Sequence, residues 1–241
     1  LQRRRQRQMC IRDRYNINTK TGRFVLVDQY ETVGGGIISM EGYPNQRGRH
    51  KVVSTNIEAV ASKIDQKTRA SVNGHTGGII WLTGLSGAGK STIAMEAERQ
   101  LFQKGYQIYV LDGDNIRFGL SADLGFTPAD RTENIRRIGE VAKLFADAGV
   151  VVITAFISPY RDDRNRVRAI APDQFHEVFI KADLSTCETR DPKGLYARAR
   201  NGEIEDFTGV SAPYEEPTDA NLIIDTGCLL YTSPSPRDTE V

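Results

Sequence analysis

Cysteine and histidine are scarce in this chain, at three residues each. Cys10, Cys187 and Cys228 are scattered and odd in number, which argues against a disulfide framework and a zinc site and favours a reducing compartment, by default the cytoplasm. His50, His75 and His176 form no ligand cluster and read as solvated or packed side chains. An excess of one charge is also missing. The 32 Lys and Arg against 31 Asp and Glu leave a net charge of +1, so no global field argues for nucleic acid or an anionic membrane as a partner. No apolar run approaches membrane-spanning length. The basic start (Arg3, Arg4, Arg5, Arg7) has no apolar segment behind it and is not expected to be a secretory signal.

What is present suits one main globular domain with some extra sequence: 241 residues, 39% hydrophobic and 26% charged. Residues 1–14 and 228–241 carry no hydrophobic period; both resemble translated adaptor sequence and are expected not to be native. Residues 15–40 have strand character, with the run Gly34-Gly35-Gly36 expected to be a flexible loop or bulge. Residues 42–51 form a polar linker. Thr55 and Glu58 have capping-box spacing before Ile57, Val60, Ala61 and Ile64, which predicts a short amphipathic helix there. Residues 67–78 then lead into the first strand of an alternating series.

Strands are expected at 79–83, 107–112, 150–155, 177–181 and 222–225, with helices from Lys90 and at 131–148, 161–171 and 195–200. Repeated β-α units with apolar strands imply an α/β fold, a parallel sheet of the P-loop NTPase type with helices on both faces. Ligands should gather at the carboxyl ends of its strands.

The strongest motif follows the first strand. Gly84-Leu85-Ser86-Gly87-Ala88-Gly89-Lys90-Ser91-Thr92 fits G-x-x-x-x-G-K-[ST] in a strand–loop–helix setting. The glycines let backbone N–H groups close around phosphate oxygens. Lys90 supplies a cation for the β- and γ-phosphates, and the Ser91 hydroxyl can ligate Mg²⁺. ATP and Mg²⁺ are therefore the expected cofactors. The acceptor must be read elsewhere. Asp112 and Asp114 fall at the end of the second strand, where a carboxylate can orient Mg²⁺ or accept the proton of an attacking hydroxyl. Asp112 reads as catalytic; Asp114 reads equally as a site residue or as a helix N-cap. Of Arg117, Arg131, Arg136, Arg137, Arg161 and Arg164, the first two flank the acceptor edge, and the others stay unassigned, several as solvated surface.

Seven motifs in order resemble adenylylsulfate kinase: the phosphate loop, Leu111-Asp-Gly-Asp-Asn-Ile-Arg117, Asp123-Leu-Gly-Phe-Thr127, Arg131-Thr-Glu-Asn-Ile-Arg-Arg-Ile-Gly139, Ala155-Phe-Ile-Ser-Pro-Tyr-Arg161, Asp191-Pro-Lys-Gly-Leu-Tyr196 and Phe207-Thr-Gly-Val. The resemblance implies transfer of the γ-phosphoryl of ATP to the 3′-hydroxyl of adenylyl sulfate, within a kinase domain at 77–227. It implies that Phe126 and Phe207 sandwich the acceptor's adenine, with core packing a rival for Phe126. It implies that Asp114, Arg117, Arg131 and Asn134 hold the rest of the acceptor, and that Lys193 belongs to a lid over ATP. Ser158 matches the family's phosphoserine position; a helix cap or a donor to the acceptor are the alternatives. Phe118 stands where many relatives carry histidine. Residues 15–48 resemble the last strands of a sulfate adenylyltransferase GTPase subunit, which implies a parent fusion joined by 49–76, with the small subunit of that enzyme as a partner. A homodimer is compatible with all of this. The rival readings are a P-loop kinase for another small alcohol and a nucleotide-binding module without turnover.

Overall fold

The computed structural model describes residues 23–28, 31–37, 58, 60 and 62–227. The expected tails and the linker at 42–51 lie outside the described residues. The chain divides into two compact units, Leu1–Asn56 and Ile57–Val241.

In the first unit β1 (Arg23–Asp28) pairs antiparallel with β2 (Glu31–Ile37). The glycine run is not a loop. Gly34, Gly35 and Gly36 pair with Leu26, Val25 and Phe24, and the register slips at Leu26/Val27, so the irregularity falls just ahead of the run.

The first described helix of the second unit is α1 (Gln66–Asn73); of the helix expected over 55–64, residues 55–57, 59 and 61 lie outside the described residues. Glu58, Val60 and 62–64 are non-helical, and Val60 is exposed. The cap that wins is Asp65, whose carboxylate accepts from Thr68 N at 2.7 Å, while Gly74 closes the far end in the left-handed region. This helix buries no side chain, so the apolar periodicity used to place a helix could not have found it.

There follow β3 (Gly78–Thr83), α2 (Lys90–Gln103), β4 (Ile108–Asp112), α3 (Gly113–Phe118), α4 (Pro128–Asp147), β5 (Val151–Ala155), α5 (Arg161–Ile170), β6 (Phe175–Lys181), α6 (Leu184–Arg190), α7 (Leu195–Arg200) and β7 (Leu222–Asp225). The five later strands form one parallel sheet in the order β4-β5-β3-β6-β7. Alternation along the strands feeds two cores. Ile79, Trp81 and Val152 pack with Ile135, Ile138 and Val167 of α4 and α5. Leu82, Ile153 and Ile180 pack on the other face with Ala94, Cys187 and Tyr196 of α2, α6 and α7. β3 lies between the two wings of the sheet, which puts the loop after it at the centre of the strands' carboxyl edge. The longest helix, α4, starts with Pro128 behind a reciprocal cap: Thr127 Oγ1 accepts from Asp130 N, and the Asp130 carboxylate accepts from Thr127 N. No helix among the described residues is long and apolar enough to cross a membrane.

Candidate active site

The phosphate loop runs from the end of β3 to the start of α2. At Gly84, φ is +154° and an added Cβ would lie 2.4 Å from Ile180 O, so only glycine fits. Gly89 caps α2 at φ +97° with no side-chain hydrogen bond, leaving the first-turn N–H groups open to an anion. The loop is held from outside: Tyr196 OH donates to Ser86 O at 2.9 Å and Thr226 Oγ1 to Ala88 O at 2.9 Å. Lys90 is buried, and its Nζ donates to Gly84 O at 3.0 Å and Leu85 O at 2.7 Å. Burial lowers its pKa to about 8. This cation is costly where it stands and would be relieved by a phosphate.

Ser91 Oγ donates to Asp112 Oδ2 at 2.7 Å, and Asp112 Oδ1 accepts from Asp114 N at 3.0 Å. Asp112, not Asp114, is therefore the N-cap of α3. A strand's last residue can cap the next helix when no loop separates them, and here α3 begins at Gly113. The hydroxyl and carboxylate together fit Mg²⁺, which takes few protein ligands beside phosphate oxygens. The described residues hold no cluster of three His, Cys, Asp or Glu. Asp114 is exposed and pairs with Lys193, which follows α6.

Across the carboxyl edge, Arg117 donates to Leu124 O and Gly125 O, and its guanidinium lies 4.2 Å above the Phe126 ring. Its pKa is lowered first by burial and then by Arg131, so two cations face a common region. Arg131 bridges segments distant in sequence: Nε donates to Phe126 O at 2.9 Å, Nη2 to Asp206 O at 2.6 Å and Nη1 to Thr208 Oγ1 at 2.5 Å. The segments that carry Phe126 and Phe207 are thus tied to one guanidinium. Core packing does not account for Phe126, which is 63% exposed; Phe207 is the packed member, edge-on to Tyr196. Asn134 is buried, and its Oδ1 has no hydrogen-bond partner among the described residues. Phe118 is exposed.

Ser158 sits at φ +39° and is buried, its Oγ accepting from the Trp81 indole at 3.1 Å. It caps no helix; α5 has Tyr160 at its N-cap. The arginines left unassigned divide. Arg136 and Arg137 pair with Glu133, and Arg137 also with Asp123. Arg164 is not surface: it is 1% exposed and bonded to Glu177. Sequence reasoning missed Thr83, Tyr196, Thr208, Tyr214 and Thr226, whose roles come from contacts between residues far apart in the chain.

A phosphate-gripping loop, a Ser–Asp pair beside it and an arginine–aromatic edge opposite define a P-loop kinase for a small acceptor. The comparisons narrow the class. Residues 76–225 match the family described as adenylylsulphate kinase. The adenylyl-sulfate kinase of Bacillus pumilus is 62% identical over 169 residues, 70% of this chain and 86% of the relative. That of Geotalea daltonii is 56% identical over 187 residues, 77% and 91% of the two chains. Among solved structures, the Mycobacterium tuberculosis APS kinase in complex with AMPPNP and APS superposes with a TM-score of 0.61 at 52% identity, covering 63% of this chain and 89% of that one. The chain belongs to the adenylylsulfate kinase family, and it is an ATP-dependent phosphotransferase.

Proposed function

We propose that the chain transfers the γ-phosphoryl of ATP to the 3′-hydroxyl of adenylyl sulfate, giving ADP and 3′-phosphoadenylyl sulfate. The observation that carries this reading is the Arg131 bridge, which joins the two phenylalanine-bearing segments on the edge facing the phosphate loop. A planar purine suits two aromatic faces, and a sulfated phosphate suits the paired cations Arg117 and Arg131.

Backbone amides of 84–89 and the Lys90 ammonium hold the donor's phosphates, Lys90 exchanging loop carbonyls for phosphate oxygens. Ser91 and Asp112 would hold Mg²⁺, which when bound neutralises charge between the β- and γ-phosphates. Asp112 takes the acceptor's proton directly or through water, a reading supported by its contacts with Ser91 Oγ and Asp114 N. Phe126, Phe207, Asp114, Arg117, Arg131 and Asn134 bind the acceptor, and Asn134 Oδ1 is free to accept from a ribose hydroxyl. Lys193 brings a lid cation toward the transferring phosphoryl and excludes water. Ser158 contributes through its place in the acceptor loop; direct in-line transfer needs no phosphoserine. The kinase domain is read as 77–227, with 15–48 a β-barrel remnant of a fusion and 49–76 its linker. The scarce, scattered cysteines support a cytoplasmic setting.

The test is a product assay with ATP-Mg²⁺ and a panel of acceptors: adenylyl sulfate, gluconate, shikimate and a nucleoside monophosphate. Phosphorylation of adenylyl sulfate alone is expected. Preference for a sugar acid would overturn the reading.

A further inference from the structure

Three consecutive carbonyls of the loop 157–159 are each gripped by a different part of the fold. Thr83 Oγ1, at the end of β3, donates to Ile157 O at 2.8 Å. Arg164 Nη1, on α5, donates to Ser158 O at 2.7 Å. The main-chain N–H of Glu215 donates to Pro159 O at 2.9 Å. Ser158 itself is held at φ +39° immediately before a proline, where extended backbone is the norm. Such a conformation persists only where its surroundings over-determine it, and it clusters at functional sites.

Arg164 is the hub of those surroundings. It is 1% exposed, its Nε donates to Glu177 Oε1 at 2.6 Å, and its Nη2 donates to Glu215 O at 2.7 Å. Glu177 is 2% exposed and also accepts from Arg168 Nη2 at 2.5 Å, while Arg168 Nη1 reaches Asp219 Oδ2 at 2.5 Å. Two guanidiniums thus balance two carboxylates. A buried ion pair is weak as a source of stability, because desolvation offsets its attraction; fixing one geometry is the use that remains. The geometry fixed here is that of 157–159 and 214–216. The second segment returns to the donor side through Tyr214 OH, 3.0 Å from Thr83 Oγ1, one residue before the phosphate loop.

We propose that Arg164, oriented by Glu177, is a positioning residue for the acceptor. It sets the loop carrying Ser158 against the end of β3, so that the acceptor's hydroxyl is presented in line with the donor phosphate. Donor binding by 84–92 does not depend on it. This rests on the reading of the Ser158 loop as the acceptor side of an adenylylsulfate kinase.

Trp81 is the chain's single tryptophan, and its indole N–H bonds to Ser158 Oγ, so its indole NMR resonance reports the loop directly. Arg164→Lys keeps the charge but loses the fork that holds Glu177, Ser158 and Glu215 together. The folded variant is expected to raise the half-saturating adenylyl sulfate concentration at least about tenfold, with that of ATP changed less than about twofold and the indole resonance shifted. Glu177→Gln, which keeps the shape and one acceptor, should move the same readouts less far. Unchanged resonance and unchanged acceptor half-saturation, or equal changes for both substrates, would overturn the proposal. Should neither variant fold, the wild type decides: adenylyl sulfate alone must shift the indole resonance and AMPPNP alone must not, and the reverse overturns the proposal. Wild-type turnover of adenylyl sulfate is measured alongside. Its absence strikes the functional reading, whereas its presence with unmoved variants strikes the role of Arg164 only.

Discussion

Raising the pH should weaken nucleotide binding through Lys90. In the free protein, burial depresses this ammonium from the ordinary 10.5 to about 8 while it rests on Gly84 O and Leu85 O. A bound triphosphate supplies charge of opposite sign and raises the pKa again. Above pH 8 binding must therefore take up a proton, and apparent affinity should fall toward tenfold per pH unit, about 1.4 kcal/mol each. Calorimetric titration with Mg²⁺-AMPPNP in buffers of different ionisation enthalpy reads the proton directly. Uptake should be near zero at pH 7 and rise steeply through pH 8, where the phosphate's own ionisation near pH 6 is already complete. The linkage to stability has a definite sign. The folded pKa lies below the unfolded one, so the unfolded chain binds more protons between pH 8 and 10.5, and this residue's contribution to stability rises with pH across that window. The full span is about 3 kcal/mol, a cost borne by the free protein at pH 7 and removed by ligand. No proton uptake at pH 8 to 9, or uptake that survives Lys90→Met, would exclude Lys90 as the titrating group.

Phe126→Ala should raise the half-saturating adenylyl sulfate concentration several-fold and leave the melting temperature nearly unchanged, because the ring is 63% exposed; equal effects on ATP would remove the stacking role. Phe207→Ala should do the same to the acceptor but also destabilise by about 3–5 kcal/mol, since it empties a packed position, and denaturant unfolding checks that difference. Asp112→Asn should lower kcat by at least about a hundredfold while the helix cap survives, since an amide oxygen can still accept from Asp114 N. Near-normal turnover would remove Asp112 from the chemistry. Thr127→Ala breaks the reciprocal cap of α4 and should cost about 1 kcal/mol, visible as a lower denaturation midpoint with unchanged slope.

The sheet was legible because β3 and β5 are apolar runs and α4 carries Ile135, Ile138 and Ala142 on one face. Strand and helix periods differ, and burial on both faces keeps them in phase with the sequence. The phosphate loop was legible for a local reason: its glycines and Lys90 act through backbone and charge within one short segment. α1 escaped notice because it buries nothing, and its cap at Asp65 competes with a better-looking Thr55/Glu58 pair. The burial of Arg164 was illegible for another reason. An arginine on a charged helix looks solvated until the strand bearing Glu177 is laid beside it, a contact made by tertiary structure alone. Phe126 and Phe207 were named together, yet which of them is packed depends on Tyr196, in a helix that the sequence does not place against either.

The proposed reaction hands a phosphoryl group held by 84–92 to adenylyl sulfate on the opposite edge. Its most direct measurement follows label from [γ-³²P]ATP in the presence of adenylyl sulfate, with Lys90→Ala as the paired control. Label is expected in 3′-phosphoadenylyl sulfate from the wild-type chain, with its loss by several orders of magnitude in the variant. Label passing to water or to an unrelated alcohol, or a variant as fast as the wild type, would contradict it.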